Sequence, residues 1–254
     1  MRGLYRAVWI LGMISTLAFS PTAYLAKIHG YDYKLVHAPN FHRFGTWSKV
    51  SAIRDHLSQY KFVIFLDADA IFHYPHIPVE WLLNYWNITP DTLVALALDP
   101  SDPVNNDDYG QNLLNTGFMI AQQSERTEAL FKAWDTCPEN EHYPNCSRWS
   151  FQWPHEQGAF GNHIRYDFNR PEDVKILPCS EANGCPEAEF SSGCAGEFVQ
   201  HWWYAKASVP TVVEQSILDY FLPYLHELFL NDYERVTLNA SNLTLTGSGG
   251  KTRL

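Results

Sequence analysis

Residues 61–72, KFVIFLDADAIF, place five consecutive apolar residues directly before Asp67, and Asp69 follows after one intervening residue. An apolar run without alternation is typical of a strand covered on both faces, so it predicts a central strand of a mostly parallel sheet. Each carboxylate at the end of such a strand is costly to bury without a partner. The stretch therefore predicts that something near this strand end compensates two negative charges.

A divalent cation would compensate the negative charges of two such carboxylates. Ligands of an open α/β sheet bind beyond the carboxyl ends of its strands, where Asp67 and Asp69 are expected. Two hard oxygen ligands one residue apart suit Mg²⁺ or Mn²⁺, and the cation would in turn bind the pyrophosphate of a nucleotide. The alternative is that both side chains only cap the next turn, which a D-x-D pattern alone leaves open.

His201 supports the metal interpretation. It lies in FVQHWW (residues 198–203), in the last part of another predicted strand, so it is expected near the same end of the domain. A histidine taken alone is more often a hydrogen-bonded core residue. As a third ligand beside two carboxylates, its imidazole would favour Mn²⁺ over Mg²⁺.

Length, composition and charge bound the class of protein. The chain has 254 residues with 46% hydrophobic content, which is enough for one α/β domain with a sizeable core. We predict a single domain over residues 1–235 and a disordered tail over residues 236–254, which end in LTGSGGKTRL. The formal net charge of -10 argues against a nucleic-acid partner, because phosphate backbones require a basic surface.

Predicted strands and helices alternate along most of the chain, as in an α/β fold. Strands are predicted near residues 7–13, 31–38, 61–69, 93–98, 116–122, 174–178 and 196–203. Helices are predicted near residues 20–30, 46–60 with Thr46 as the cap, 79–86, 124–134, 155–164 and 211–230.

The N-terminal apolar run has two interpretations. Residues 7–19 follow two arginines and resemble the apolar part of a signal peptide, but they are too short to span a bilayer. The segment AVWILGM (residues 7–13) could equally be the first buried strand of the domain. We favour the strand.

The cysteines and sequons favour an oxidising compartment. All five cysteines lie between residues 137 and 194 without C-x-x-C spacing, so disulfides are predicted rather than a zinc site, with the pairing open and one cysteine left over. N-glycosylation sequons begin at Asn87, Asn145, Asn239 and Asn242. The alternative is a cytosolic protein with chance sequons and buried thiols.

Five segments, in order, resemble one family of enzymes. They are AYLAKIHGYDY (23–33), WSKVSAIRDHLSQYKFVIFLDADAIF (47–72), LNTGFMIAQQSERTEALFKAW (114–134), HEQGAF (155–160) and FVQHWW (198–203). Together they are similar to the fungal and plant galactosyl-, mannosyl- and xylosyltransferases, the alpha-1,2-galactosyltransferase and alpha-1,6-mannosyltransferase group. The resemblance runs from about residue 23 to residue 206, and each motif alone is weaker than their order.

The resemblance implies a GT-A fold, with a mostly parallel sheet flanked by helices, and a retaining glycosyltransferase. Its cofactor would be Mn²⁺, or Mg²⁺, held by Asp67, Asp69 and His201. The donor would be a UDP-sugar or GDP-mannose, and the acceptor a hydroxyl of a glycan or glycoprotein. The family also implies a type II membrane protein of the Golgi lumen, although no anchor is evident in the sequence. The segment before AYLAK is shorter than in the family, which predicts a shortened base-binding loop.

Further residues are assigned to the donor by their motif positions. Lys49 and Lys206 become candidate phosphate ligands, although bare lysines are more often solvated. Asn115 and Gly117 could face the sugar, or they could form a turn before the next strand.

Glu156 and Gln157 are the candidate catalytic residues, or simply the polar face of a helix. Retention has two possible routes: front-face attack of the acceptor, or a covalent intermediate on a carboxylate such as Glu156.

Alternatives remain at the level of function. Trp202, Trp203 and Tyr204, with Trp149 and Trp153, could stack on acceptor sugars or belong to the core. The chain could also be a non-catalytic module that binds glycans or partners. A phosphatase of the haloacid-dehalogenase type, which also ends a strand in D-x-D, is a further alternative.

Overall fold

The computed structural model describes residues 7–11, 21–36, 42–188 and 193–237 and has an α/β architecture. The strands are β1 (Ala7–Leu11), β2 (Asp32–Leu35), β3 (Phe62–Leu66), β4 (Ala70–Phe72), β5 (Val94–Leu98), β6 (Leu114–Gln122), β7 (Val174–Leu177), β8 (Ala182–Gly184) and β9 (Val199–His201). The α-helices are α1 (Pro21–His29), α2 (Ser48–Leu57), α3 (Val79–Tyr85), α4 (Glu125–Thr136), α5 (Glu156–Ala159), α6 (Arg165–Asp167), α7 (Val209–Asn231) and α8 (Tyr233–Val236).

The main sheet has six strands in the order β2-β1-β3-β6-β5-β7. The neighbouring pairs are parallel except at β6, which runs antiparallel to both β3 and β5. The predicted, mostly parallel sheet is therefore confirmed. The interpretation of residues 7–13 as the first strand is also confirmed for Ala7–Leu11, which pairs with β2 and β3.

β3 owes its central place to its uninterrupted apolar sequence. All five of its residues are buried. Val63 and Phe65 pack into a core with side chains of α2 and α4, whereas Ile64 and Leu66 pack into a second core with side chains of α1 and α3. Burying each such side chain stabilises the fold by roughly 1.5–3 kcal/mol.

The chain turns where β3 ends, so the prediction of one strand over residues 61–69 is wrong. The Ala70 amide donates to the Asp67 carbonyl at 3.0 Å, and β4 then enters a separate three-stranded sheet in the order β4-β9-β8. This small sheet was not predicted. Its antiparallel register pairs Ala70 with His201, which brings the histidine to the end of β3.

Two helix starts differ in how they are capped. The prediction that Thr46 caps the second helix is wrong, because Gly45–Trp47 form a 3-10 turn and the buried Oγ1 of Thr46 has no hydrogen-bond partner. Ser124 does cap α4, since its Oγ accepts the amide of Thr127 at 3.0 Å. The predicted helix from residue 155 is interrupted by a π-helical turn, Phe160–Ile164.

Disulfides are confirmed. Cys137 is bonded to Cys146 beside α4, and Cys179 is bonded to Cys194 before β9. Cys185 is buried and takes part in neither bond. Asn239, Asn242 and the predicted tail from residue 238 onward lie outside the described residues.

The C-terminal helix α7 packs through its N-terminal half, in which Tyr220 also contacts the ring of Tyr74. Val209 and Val213 contact Ile71 in a small cluster, whereas Leu222 and Leu225, further along, are exposed. Across the part of the chain that the structure describes, no helix combines the length and apolar character that crossing a bilayer requires.

Candidate active site

A cluster of two carboxylates and one imidazole lies beyond β3. Asp67 and Asp69 come from the turn between β3 and β4, and His201 comes from the end of β9. One ligand atom from each residue lies within 4.8 Å of the other two. His201 Nε2 is 2.9 Å from Asp69 Oδ1 and 3.9 Å from Asp67 Oδ2. The structure thus brings together the three residues that the sequence proposed as metal ligands.

The surroundings of His201 suit a metal ligand. Its Nδ1 is 2.6 Å from the Oδ1 of buried Asn183, and a carbonyl oxygen there favours the proton on Nδ1. Nε2 then faces the two carboxylates, and its lone pair would bind a cation held between them. Gly117 makes room for the ring, because a Cβ on this residue would lie 2.3 Å from His201 Cε1. A mixed set of oxygen and nitrogen donors fits Mn²⁺.

Each aspartate of the D-x-D pair also contacts a lysine. Lys206 Nζ is 2.5 Å from Asp69 Oδ2, and Lys49 Nζ is 2.9 Å from Asp67 Oδ1. Burial acts to raise the pKa of Asp69, but the hydrogen bonds and charges of His201 and Lys206 outweigh it and lower the pKa below its usual range. Asp69 therefore carries its negative charge at neutral pH.

Lys49 is a buried cation with three protein partners. Besides Asp67, its Nζ lies 3.2 Å from Glu156 Oε1 and 3.2 Å from the carbonyl of Thr116. Burial acts to lower its pKa, but the charges of Asp67 and Glu156 prevail and raise it. An ammonium group has three N–H donors, and the three partners of Lys49 occupy them. Lys49 therefore links these partners to one another and has no N–H left for a phosphate.

The candidate catalytic residues lie on α5 against β6. Glu156 is buried, and its Oε1 accepts the hydroxyl of Thr116 at 2.9 Å. Its Oε2 is buried without a hydrogen-bond partner. Gln157 Oε1 accepts the Thr116 amide at 3.2 Å. Both side chains are therefore held by the protein.

Asp99 is a site residue that the sequence analysis missed. It directly follows β5 and is buried, and its two oxygens accept amide N–H groups from Asn115 at 2.7 Å and from Gln157 at 2.5 Å. Burial raises the pKa of Asp99 to about 6, although the two hydrogen bonds act in the opposite direction. The signal was available, because Asp99 follows a buried strand just as Asp67 does. For Thr116 and Asn183, no sequence pattern pointed to the site.

Most of these residues line one cavity of about 660 Å³, whereas Asp69 and Lys206 lie beside it without lining it. Its lining includes Lys49, Asp67, Asp99, Glu156, Gln157 and His201.

Of the five aromatic residues proposed to stack on acceptor sugars, only some lie at this cavity. Trp153, Trp203 and Tyr204 line it, whereas Trp149 is buried in the core beside α5. Trp202 does not line the cavity; its indole packs near Ile71.

The chain is similar to known sugar-transferring proteins in sequence and in fold. A family model for nucleotide-diphospho-sugar transferases matches residues 30–220. The chain is similar to the crystal structure of a glycosyltransferase involved in the glycosylation of the major capsid of PBCV-1, with TM-score 0.59 and 13% identity over 83% of this chain and 98% of that chain. A second similar structure, A197 from STIV, has TM-score 0.40 and 11% identity over 68% of this chain and 82% of that chain. No curated protein matches the sequence significantly. The family match and the first structure confirm the predicted GT-A fold.

Proposed function

The chain belongs to the nucleotide-diphospho-sugar transferase family, and on that basis we propose that it moves a hexosyl or pentosyl group from a UDP-sugar or GDP-mannose to a glycan or glycoprotein hydroxyl, with retention. Glycosyl transfer in general follows from the family. The observation that carries the finer proposal is the shared cavity, in which a carboxylate–imidazole cluster adjoins a buried lysine and a buried glutamate. A donor needs both parts, because its diphosphate carries negative charge while its anomeric carbon becomes positive.

Asp67, Asp69 and His201 would hold the metal, Mn²⁺ or Mg²⁺. When bound, such an ion acts as a Lewis acid that neutralises the diphosphate as it departs. Lys206 lies beside the same cluster with 67% of its side chain exposed, so it can turn from Asp69 towards a phosphate oxygen. Lys49 keeps Asp67 and Glu156 in place from the buried side.

Glu156 is the group that we place next to the anomeric carbon. In front-face transfer, the bond from this carbon to the phosphate oxygen breaks and its electron pair stays on the phosphate. The acceptor oxygen bonds to the same face and its proton passes to the departing phosphate. Glu156 would then stabilise the positive charge that develops on the sugar.

The alternative route uses Glu156 as a nucleophile, which its Oε2 without a hydrogen-bond partner permits. Glu156→Gln distinguishes the routes when the purified protein is incubated with Mn²⁺ and donor and its intact mass is recorded. A glycosyl adduct on the wild type that the variant lacks would establish the covalent route. Residual transfer by the variant without any adduct on the wild type supports front-face attack.

The aromatic side chains at the cavity are proposed to bind the acceptor. Trp153 is 55% exposed and Tyr204 is 81% exposed, so their rings are available to the apolar face of a sugar. Trp203 lies beside His201, with ring centroids 5.2 Å apart, and completes the group.

The proposed compartment is the Golgi lumen of the secretory pathway. The two disulfides and the exposed sequon residues Asn87 and Asn145 support it. Membrane association is proposed only by resemblance to the family. Expression in a secretory host followed by glycosidase treatment tests the compartment, because occupied sequons would give a decrease in apparent mass.

A nucleotide-sugar panel tests the activity. We expect Mn²⁺ together with UDP-galactose, UDP-xylose or GDP-mannose to raise the Tm and to give release of UDP or GDP. Asp67→Asn should abolish both effects, whereas Asp91→Asn, a change of an exposed carboxylate outside the site, should abolish neither. Binding of a nucleotide sugar without its turnover, whichever acceptor is added, would identify a non-catalytic module. Hydrolysis of p-nitrophenyl phosphate without nucleotide-sugar turnover would identify a phosphatase.

A further inference from the structure

Asp99, Asn115 and Gln157 form a buried unit in the cavity wall, which we call the Asp99 bridge. One carboxylate oxygen of Asp99 accepts the Asn115 Nδ2 and the other accepts the Gln157 Nε2. The three residues come from the end of β5, from β6 and from α5. All three line the cavity. The carboxylate thus ties together two amides that come from different elements.

The bridge fixes the orientation of both amides. Asn115 Oδ1 accepts the amide N–H of Gly117 at 2.7 Å, and Gln157 Oε1 accepts the amide N–H of Thr116 at 3.2 Å. If either side chain were flipped, its oxygen would face the carboxylate and its NH₂ would face a backbone N–H. Each NH₂ group has two N–H bonds, and Asp99 takes one from each. One N–H on each amide is left for a ligand.

The bridge is expensive for the fold. The pKa of Asp99, raised to about 6 by burial, means that the ionised form present at pH 7 is less favourable in the protein than in water. A neutral side chain of similar shape would avoid that cost. Groups that reduce stability in this way tend to be found at functional sites.

The bridge also adjoins the diphosphate corner of the cavity. The Asn115 Oδ1 lies 2.9 Å from where a Cβ on Gly117 would lie, and His201 Cε1 lies 2.3 Å from the same position. Asn115 and His201 are therefore neighbours across Gly117. A ligand whose diphosphate lies at His201 would place its next group, the sugar, beside the bridge.

We propose that Asp99 is a positioning residue for the donor sugar: it holds Asn115 and Gln157 so that each presents an N–H to the oxygens of the sugar ring and its hydroxyl groups. The inference rests on the proposed function, because it takes a nucleotide sugar as the ligand. It concerns the sugar and not the nucleotide. Its consequence is that Asp99 affects how tightly the sugar is held and has little effect on the nucleoside diphosphate.

The test is Asp99→Asn with the full chain, and affinities are measured by calorimetry in the presence of Mn²⁺. Asparagine offers one acceptor and one donor group, so one of the two amides must turn round and lose its fixed N–H. The probes are UDP, GDP, UDP-galactose, UDP-xylose and GDP-mannose. We expect the wild type to bind at least one nucleotide sugar more tightly than its own nucleotide. In Asp99→Asn that nucleotide sugar should bind about tenfold more weakly, while the nucleotide binds as before.

Asp173→Asn is the matched control. Asp173 is also a buried carboxylate, but it pairs with Arg126 outside the cavity. We expect this variant to lower the Tm without changing the ratio of the two affinities, whereas Asp99→Asn should change the ratio and leave the Tm at pH 7 near that of the wild type.

Two results would overturn the inference. One is an unchanged ratio of the two affinities in Asp99→Asn, with or without a lower Tm, and the other is a wild type for which no sugar adds affinity. In each of these cases nucleotide binding with Mn²⁺ would still support the proposed function. If the wild type binds no nucleotide at all, the proposed function fails together with the inference.

Discussion

The two lysines beside the D-x-D pair divide the site into an inner half and an outer half. In the inner half, Lys49 is 3% exposed and contacts Asp67, Glu156 and the Thr116 carbonyl. In the outer half, Lys206 is 67% exposed and contacts Asp69, which lies between it and His201. The same residue type next to the same motif therefore has two roles. Lys49 belongs to the fold, whereas Lys206 is available to a ligand.

The energetics of the two halves follow from their burial. Removing one partner of a buried ion pair leaves an uncompensated charge, which destabilises a protein by about 3–5 kcal/mol. An ion pair with an exposed member is worth about 0–1 kcal/mol, because water and salt screen it. Substitutions in the inner half should therefore affect folding first, and those in the outer half should affect binding first.

The largest effect is expected for Lys49→Met. This change keeps the apolar stem but leaves the buried Glu156 and the half-buried Asp67 without their shared cation. We expect a loss of about 3–5 kcal/mol in the free energy of unfolding, measured by urea titration. Lys132→Met, at an exposed position of α4, is the control and should change it by less than about 0.5 kcal/mol. A loss of equal size in both variants would contradict the division into halves.

The next effect is expected at the metal ligands. Asp69→Asn removes a carboxylate that contacts both His201 and Lys206, so Mn²⁺ affinity should fall by at least about 100-fold. Calorimetric titration with MnCl₂ measures this change. Asp91→Asn should leave the affinity unaltered. If Asp69→Asn keeps wild-type Mn²⁺ affinity, the outer half holds no metal.

The sequence predicted the residues of the outer half better than those of the inner half. Asp67 and Asp69 follow an unbroken apolar run, and His201 lies in a predicted strand, so local patterns pointed to all three. Sequence patterns could not predict the small three-stranded sheet that brings these residues together. Its strands β4, β8 and β9 have three residues each, which is too short for any periodicity to appear.

The inner half depends on contacts between residues distant in the chain. Lys49 lies on a helix that was predicted near residues 46–60, but the carboxylate of Glu156 that it pairs with lies far along the chain. Likewise, the role of Asp99 depends on the hydrogen bonds that it accepts from the side chains of Asn115 and Gln157. A buried charge is tolerated only where partners converge on it, and convergence is a property of the folded chain.

A smaller effect is expected from a change of pH, which acts on Asp99 of the Asp99 bridge. Its folded pKa of about 6 lies above the unfolded value, so the ionised form destabilises the protein above pH 6, and this destabilisation is relieved as the pH falls towards 4. Between pH 7 and pH 5 the wild type should gain about 1 kcal/mol of stability relative to Asp99→Asn. Urea titrations of both proteins at the two pH values measure this difference. A constant difference would mean that Asp99 ionises as it does in water.

The smallest effect on stability is expected for Lys206→Ala. Because Lys206 is exposed, its loss should change the free energy of unfolding by less than about 0.5 kcal/mol. Its loss should nevertheless weaken the binding of UDP or GDP with Mn²⁺ by about fivefold at low salt, since one positive charge near the diphosphate is removed. The weakening should shrink as NaCl is raised, because exposed charges are screened within about 10 Å at 0.1 M salt. A salt-independent loss of affinity, or a clear loss of stability, would place Lys206 with Lys49 in the buried network and remove the distinction between the two halves.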